Sequence, residues 1–221
     1  EISERDILTI VFQRTLGPTS WFNSDGWAND DEDNICEWYG VSCDNDGRVV
    51  GINLESNGMT GTLPREFYYL TRLQSAVLSR NNNLVVKFDD IGMAESLEVL
   101  LLDETVSHDA AGINQAKALK VLNMSGTHLT ARTMDDIFLL PSLTTLDIGF
   151  NALSGILPTN IGYLSNNITQ FFCSQANIYG TLPLEIGTLS TLQLFDASGN
   201  WLTGYLPPGY LTDSLTSSCW I

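Results

Sequence analysis

The sequence predicts an α/β solenoid: a right-handed superhelix with a parallel β-sheet on its concave side, helical or 3-10 segments on its convex side, and an α-helical, disulfide-bonded cap at its N-terminal end. Three observations predict it. One apolar frame recurs at near-constant spacing, a Gly-x-Leu-Pro motif follows several copies of it, and two cysteines with three tryptophans cluster just ahead of the first copy.

The frame is L-x-x-L-x-L-x-x-N. It fits "VVGINLESN" (49–57), "LQSAVLSRN" (73–81), "LEVLLLDET" (97–105), "LKVLNMSGT" (119–127), "LTTLDIGFN" (143–151), "ITQFFCSQA" (168–176) and "LQLFDASGN" (192–200). The last positions are 57, 81, 105, 127, 151, 176 and 200, so the intervals are 24, 24, 22, 24, 25 and 24. The central L-x-L of each copy reads as a short strand with alternate residues pointing inward. The ninth residue turns the chain. Asn57, Asn81, Asn151 and Asn200 suit that role because a buried amide satisfies backbone groups of neighbouring turns. Thr105 and Thr127 can do part of this. Ala176 cannot, so a weaker or water-filled rung is expected there.

The second motif appears in "MTGTLPREFYYL" (59–70), "LSGILPTNIGYL" (153–164), "IYGTLPLEIGTL" (178–189) and "LTGYLPPGYL" (202–211). Proline here ends extended structure and opens a short helical turn, since its φ is preset. "VSHDAAGINQAKA" (106–118) and "TARTMDDIFLLPS" (130–142) lack the motif, and the latter reads as a helix with Met134, Ile137, Phe138 and Leu140 on its apolar side. Stacking buries the apolar stripe of each repeat against the next, so the first and last rungs need lids.

Residues 1–48 read as the first lid. Ser3 with Asp6 three positions later resembles an N-cap. The helix that follows offers Ile7, Leu8, Ile10, Val11 and Leu16 to the first rung, and Trp21, Trp27 and Trp38 add large apolar area. "DNDG" (44–47) is a turn that launches the first strand. The division expected is therefore a cap over 1–48, seven repeats over 49–211, and a terminal strand or partial cap over 212–221.

The stretch "CEWYGVSCDNDGRVVGINLESNGMTGTLP" resembles the cap and first repeat of plant-type leucine-rich-repeat proteins, which include receptor-like kinase ectodomains and polygalacturonase-inhibiting proteins. The W…C-E-W-x-G-V-x-C-D cap and the four G-x-L-P repeats carry the resemblance. It implies an extracellular recognition module with a parallel sheet on the concave side and no catalytic residues.

Composition narrows the partners. Ten Lys and Arg against 26 Asp and Glu give a formal charge of −16, which argues against nucleic acid and against anionic membranes. No apolar run approaches the roughly 20 residues of a membrane-spanning helix. The spacing of Cys36, Cys43, Cys173 and Cys219 fits no zinc pattern, and His108 and His128 read as surface residues. A Cys36–Cys43 disulfide is the better reading and implies an oxidising compartment, extracellular or at the cell surface. Cys173 reads as an inward-facing filler. A bond to Cys219 would need the C-terminus to fold back, because two rungs at about 4.8 Å each exceed the reach of a disulfide. The acidic run "NDDEDN" (29–34) is conceivable as a calcium site but reads better as a solvated loop. "SCDNDGRVVGIN" fails as a calcium loop because Ser42 and Asn53 fall at the first and twelfth ligand positions. No hydrolase, metalloprotease or phosphate-loop motif occurs, and neither a cofactor nor a metal is expected.

Binding is expected on the concave face. Val77, Val99, Leu101 and Val121 fall together on adjacent rungs as an apolar contact patch, with Phe150 and Phe172 as an aromatic contact further along. Strand preference alone also favours Val and Leu at such positions. Asp103, Asp147 and Asp196 make the same face acidic. Asn123 and Asn167 head N-x-S/T sequons, and a glycan on Asn123 would obstruct large ligands, so either that sequon is empty or the ligand uses another surface. The function expected is recognition of a protein, peptide or glycan, with a receptor ectodomain as one form of it. The alternatives are a secreted inhibitor of cell-wall hydrolases and an adhesion or self-association protein. A monomer is expected, with a dimer as the alternative.

Overall fold

The computed structural model describes residues 2–27, 34–130, 134–164, 166–206 and 219–220. The chain enters through helix α1 (Glu4–Arg14). Ser3 caps it: its hydroxyl accepts from the Asp6 amide at 3.1 Å, and the Asp6 carboxylate accepts from Ser3 in return. A short helix, α2 (Gly17–Ser20), follows. Strand β1 (Val41–Cys43) then forms a hairpin with β2 (Val49–Asn53), and Cys36 is disulfide-bonded to Cys43.

From β2 onward the chain coils. After β2 come β3 (Thr60–Thr62), β4 (Ser75–Val77), β5 (Asn83–Val85), β6 (Val99–Leu101) and β7 (Val121–Asn123). Helix α3 (Met134–Phe138) precedes β8 (Thr145–Asp147), β9 (Gln170–Phe172), β10 (Tyr179–Gly180), β11 (Leu194–Asp196), β12 (Trp201–Leu202) and β13 (Cys219–Trp220). The main sheet runs β1-β2-β4-β6-β7-β8-β9-β11-β13, parallel throughout except for the β1–β2 hairpin. The antiparallel β1 covers the edge that β2 would otherwise present. Gly40 makes this approach possible. It has φ +77°, its carbonyl accepts from the Asn53 amide at 2.7 Å, and a Cβ there would sit 2.1 Å from the Asn53 oxygen. Two-stranded sheets β3–β5 and β10–β12 line the flank.

The interior is a set of in-register stacks. Ile52, Ala76, Leu100, Leu122, Leu146, Phe171 and Phe195 form one, and Leu54, Leu78, Leu102, Met124, Ile148, Cys173 and Ala197 form the next; all are buried. Volume is balanced between them. Where the second stack narrows to Cys173 and Ala197, the first widens to Phe171 and Phe195, whose ring centroids lie 5.5 Å apart. Cys173 is a free thiol, and burial pushes its pKa up, so it acts as an inert filler.

The asparagines join the turns as expected. Asn81 donates to the carbonyls of Leu54 and Leu78 and accepts from the amides of Asn57 and Met59. Asn151 and Asn200 repeat this pattern three and five repeats further on. Asn57 extends it into the cap, exchanging hydrogen bonds with the backbone of Asn23. The Thr105 and Thr127 hydroxyls donate to carbonyls of their own turns, Leu102 and Met124, and Thr127 adds a long 3.5 Å contact to the Asn151 side-chain oxygen. At Ala176 the side-chain rung is missing, and its carbonyl accepts a long 3.4 Å bond from Ser154.

On the convex side Pro64, Pro158 and Pro183 each precede a 3-10 helix, over Arg65–Tyr69, Thr159–Tyr163 and Leu184–Thr188. Met134, Ile137, Phe138 and Leu140 are buried around α3. The cap differs from expectation at two residues, the first being Ile10, which is only half-buried. Leu16 lies past the end of α1 in a left-handed conformation and is 47% exposed, while Phe12 takes its place against Trp21 at 5.1 Å. Trp21, Trp27 and Trp38 are buried in contact with one another.

Candidate functional site

The strands set the concave face by their two-residue period. Inward residues alternate with outward ones, and the parallel register aligns the outward ones into rows. The central row is Asn53, Val77, Leu101, Asn123, Asp147, Phe172 and Asp196, one residue per rung. The row before it carries Val99 beside Val121, then Thr145, Gln170 and Leu194.

This register places Val77 beside Leu101 and Val99 beside Val121, in one patch over β4, β6 and β7. All four are half-buried rather than fully exposed. Neighbouring strands lie close enough, about 4.8 Å, for their side chains to cover each other's flanks. Phe172 is likewise half-buried within β9. Phe150 lies past β8 at a left-handed turn and is 59% exposed.

Phe172 has Asp147 and Asp196 as its in-register neighbours on either side. Asp147 accepts from the Gly149 amide at 2.9 Å. Its pKa is nonetheless raised, first by loss of solvent and then by the charges of Asp103 and Asp196. Asp103 is differently engaged: it accepts from the Ser79 hydroxyl at 2.5 Å and from the Asn123 amide at 3.1 Å. Asn123 also accepts from the Ser125 amide, so this sequon residue is tied into the middle of the face. Asn167 sits in an exposed turn just ahead of β9.

Two features escape a rung-by-rung reading. All ten Lys and Arg residues lie at or before Arg132, so the C-terminal repeats carry acid without any compensating base. That asymmetry is visible in the sequence once charges are plotted by repeat. The second feature is a pair. His108 and His128 occupy different positions in their repeats, yet both are exposed and their ring centroids lie 5.9 Å apart. Among the described residues, no three His, Cys, Asp or Glu side chains are grouped to hold a metal. No helix among them is long and apolar enough to cross a membrane. The run 29–34 lies outside the described residues except for Asn34, whose side chain caps a 3-10 turn at Ile35–Glu37.

Comparison with known proteins gives the same architecture. The family described as Leucine Rich Repeat matches residues 142–164. Receptor-like protein 41 of Arabidopsis thaliana is 31% identical over 77% of this chain, which spans 20% of that relative. The plant ice-binding protein structure superposes with a TM-score of 0.78 at 24% identity, covering 91% of this chain and 64% of that one. The PEPR1–AtPEP1 structure does so with a TM-score of 0.76 at 26% identity, covering 92% of this chain and 29% of that one. The chain spans a fifth or less of the length of the first curated relatives it matches. With its repeat frame, asparagine ladder and disulfide-bonded cap, the chain is a leucine-rich-repeat solenoid whose matches are those of the plant-type extracellular family.

Proposed function

We propose that this chain is an extracellular or cell-surface recognition module whose concave face binds an extended peptide carrying apolar side chains and at least one lysine or arginine. One observation carries the reading: the outward row runs Asp147, Phe172, Asp196 in register, next to the Val77, Val99, Leu101 and Val121 patch. A carboxylate on each side of an aromatic ring suits a cationic side chain, which pairs with the acids and stacks on the ring. No residue after Arg132 can supply that cation from the chain's own C-terminal repeats. Half-buried aliphatic side chains on a sheet face give a contact that strengthens when a ligand excludes water. An open curved face suits recognition rather than catalysis. The curated relatives carry the names of receptor-like proteins and receptor-like kinases, which supports a recognition role here.

The test is selection of binders from a displayed library of random peptides, with Leu101→Glu and the pair Asp147→Asn, Asp196→Asn as counter-screens. Selected peptides are expected to be rich in Lys or Arg next to apolar residues and to lose binding to both variants. Failure to enrich any peptide, or enrichment of acidic peptides, would refute the reading. Binding by both variants equal to that of the parent, with both shown to be folded by circular dichroism, would refute it too.

A further inference from the structure

The flank near the cap holds a cleft of about 310 Å³ whose lining includes Arg14, Arg65, Lys87 and Thr62 with Glu66 and Asp89. Three of the chain's ten basic residues converge there, in a protein of net charge −16. They come from three segments far apart in sequence: the last turn of α1, the start of the 3-10 helix after Pro64, and the residue two beyond β5.

The fold fixes each of these segments. The Thr60 amide donates to the Thr15 carbonyl at 3.1 Å, which docks β3 against the end of α1. Gly61 permits the contact: at φ +108° it lies so close to the helix end that a Cβ would meet the Arg14 carbonyl at 2.6 Å. The buried Tyr68 donates its hydroxyl to the Lys87 carbonyl at 2.8 Å, so the backbone bearing Lys87 is anchored. Arg65 is loosely shared between Glu66 at 3.9 Å and Asp90 at 3.6 Å. Arg14 and Lys87 are exposed, and neither forms an ion pair among the described residues.

We infer that this cleft binds an acidic sugar unit, a uronate within an oligosaccharide. Arg14 and Lys87 are unpaired donors for a carboxylate. The Glu66 and Asp89 carboxylates are acceptors that a bare inorganic anion has no use for, whereas sugar hydroxyls donate to them. A densely sulfated chain carries more charge per unit than a uronate chain and would be repelled more strongly by the same two acids and by the overall charge. Donors and acceptors mixed around one cleft therefore select a ligand with one carboxylate and several hydroxyls per unit. The site is on the flank, independent of the concave face.

Isothermal titration of the full chain with a tetramer of galacturonate tests this, beside a neutral glucose tetramer, a sulfated tetramer and inorganic sulfate. Binding of the uronate tetramer alone is expected, weakening with salt, and about tenfold weaker in Arg14→Gln/Lys87→Gln. Both side chains are exposed, and an unchanged melting temperature would show that the variant folds. Leu101→Glu should bind the tetramer as the parent does. No binding by the parent overturns the inference, as does equal binding of the neutral tetramer, the sulfated tetramer or sulfate. Unchanged binding by the double variant overturns the location.

Discussion

The amide of Asn81 donates to the carbonyl of Leu54, one turn earlier in the solenoid, at 2.9 Å. The same side chain accepts from the amides of Asn57 and Met59, so one residue satisfies buried backbone groups of two turns. Replacing Asn81 with Ala leaves two buried amides without their acceptor and is expected to cost about 2–4 kcal/mol in denaturant unfolding. Ala176→Asn, which supplies the missing rung, is expected to gain about 1 kcal/mol. A neutral Asn81→Ala would mean that the ladder does not hold the turns together.

The Cys36–Cys43 bond closes a short loop that contains Trp38, whose ring packs on Trp27. A loop with a sequence separation of 7 corresponds to about 2–3 kcal/mol of unfolded-state entropy. Replacing both cysteines with Ala is expected to lower stability by that amount and to loosen the cap before the repeats. Hydrogen exchange resolved by segment would show early opening in the cap; uniform opening of all repeats would contradict it.

Asp147 gives a pH dependence of definite sign. Its folded pKa is raised, so between its unfolded and folded values the native state holds more protons than the unfolded state. Stability from this group is therefore present at low pH and lost as pH rises through that window. Asp147→Asn is expected to raise the melting temperature at pH 7 and to have little effect at a pH below the unfolded value. Destabilisation at pH 7 would show that the carboxylate is compensated by a partner.

The two sequons are expected to behave differently. Asn167 lies in an exposed turn, whereas Asn123 is bonded to Asp103 on the sheet face. Intact mass of protein from a secretory host should show one glycan, removed by Asn167→Gln and retained in Asn123→Gln. A glycan on Asn123 would close the concave face to large ligands.

Much of the fold was legible because the solenoid reduces it to a period. Asn57, Asn81, Asn151 and Asn200 announce the turns, and the register that brings Val99 beside Val121 follows from their shared position in the repeat frame. What escaped prediction depends on geometry outside the period. Phe12 replaces Leu16 in the cap because α1 ends before Leu16, and a helical phase extended past that end misassigns it. The half-burial of Val77 and Leu101 depends on how adjacent strands shade each other, which no single repeat reveals. Arg14, Arg65 and Lys87 come together only through the docking of α1 on β3, a contact made possible by one glycine and absent from the repeat frame.

The most direct measurement is methyl NMR of the chain titrated with a basic, apolar peptide recovered by selection. The account predicts shifts at the methyls of Val77, Val99, Leu101 and Val121, with matching changes at the Phe172 ring. Shifts confined to the cap or the convex 3-10 segments, with these methyls unmoved at saturation, would contradict it.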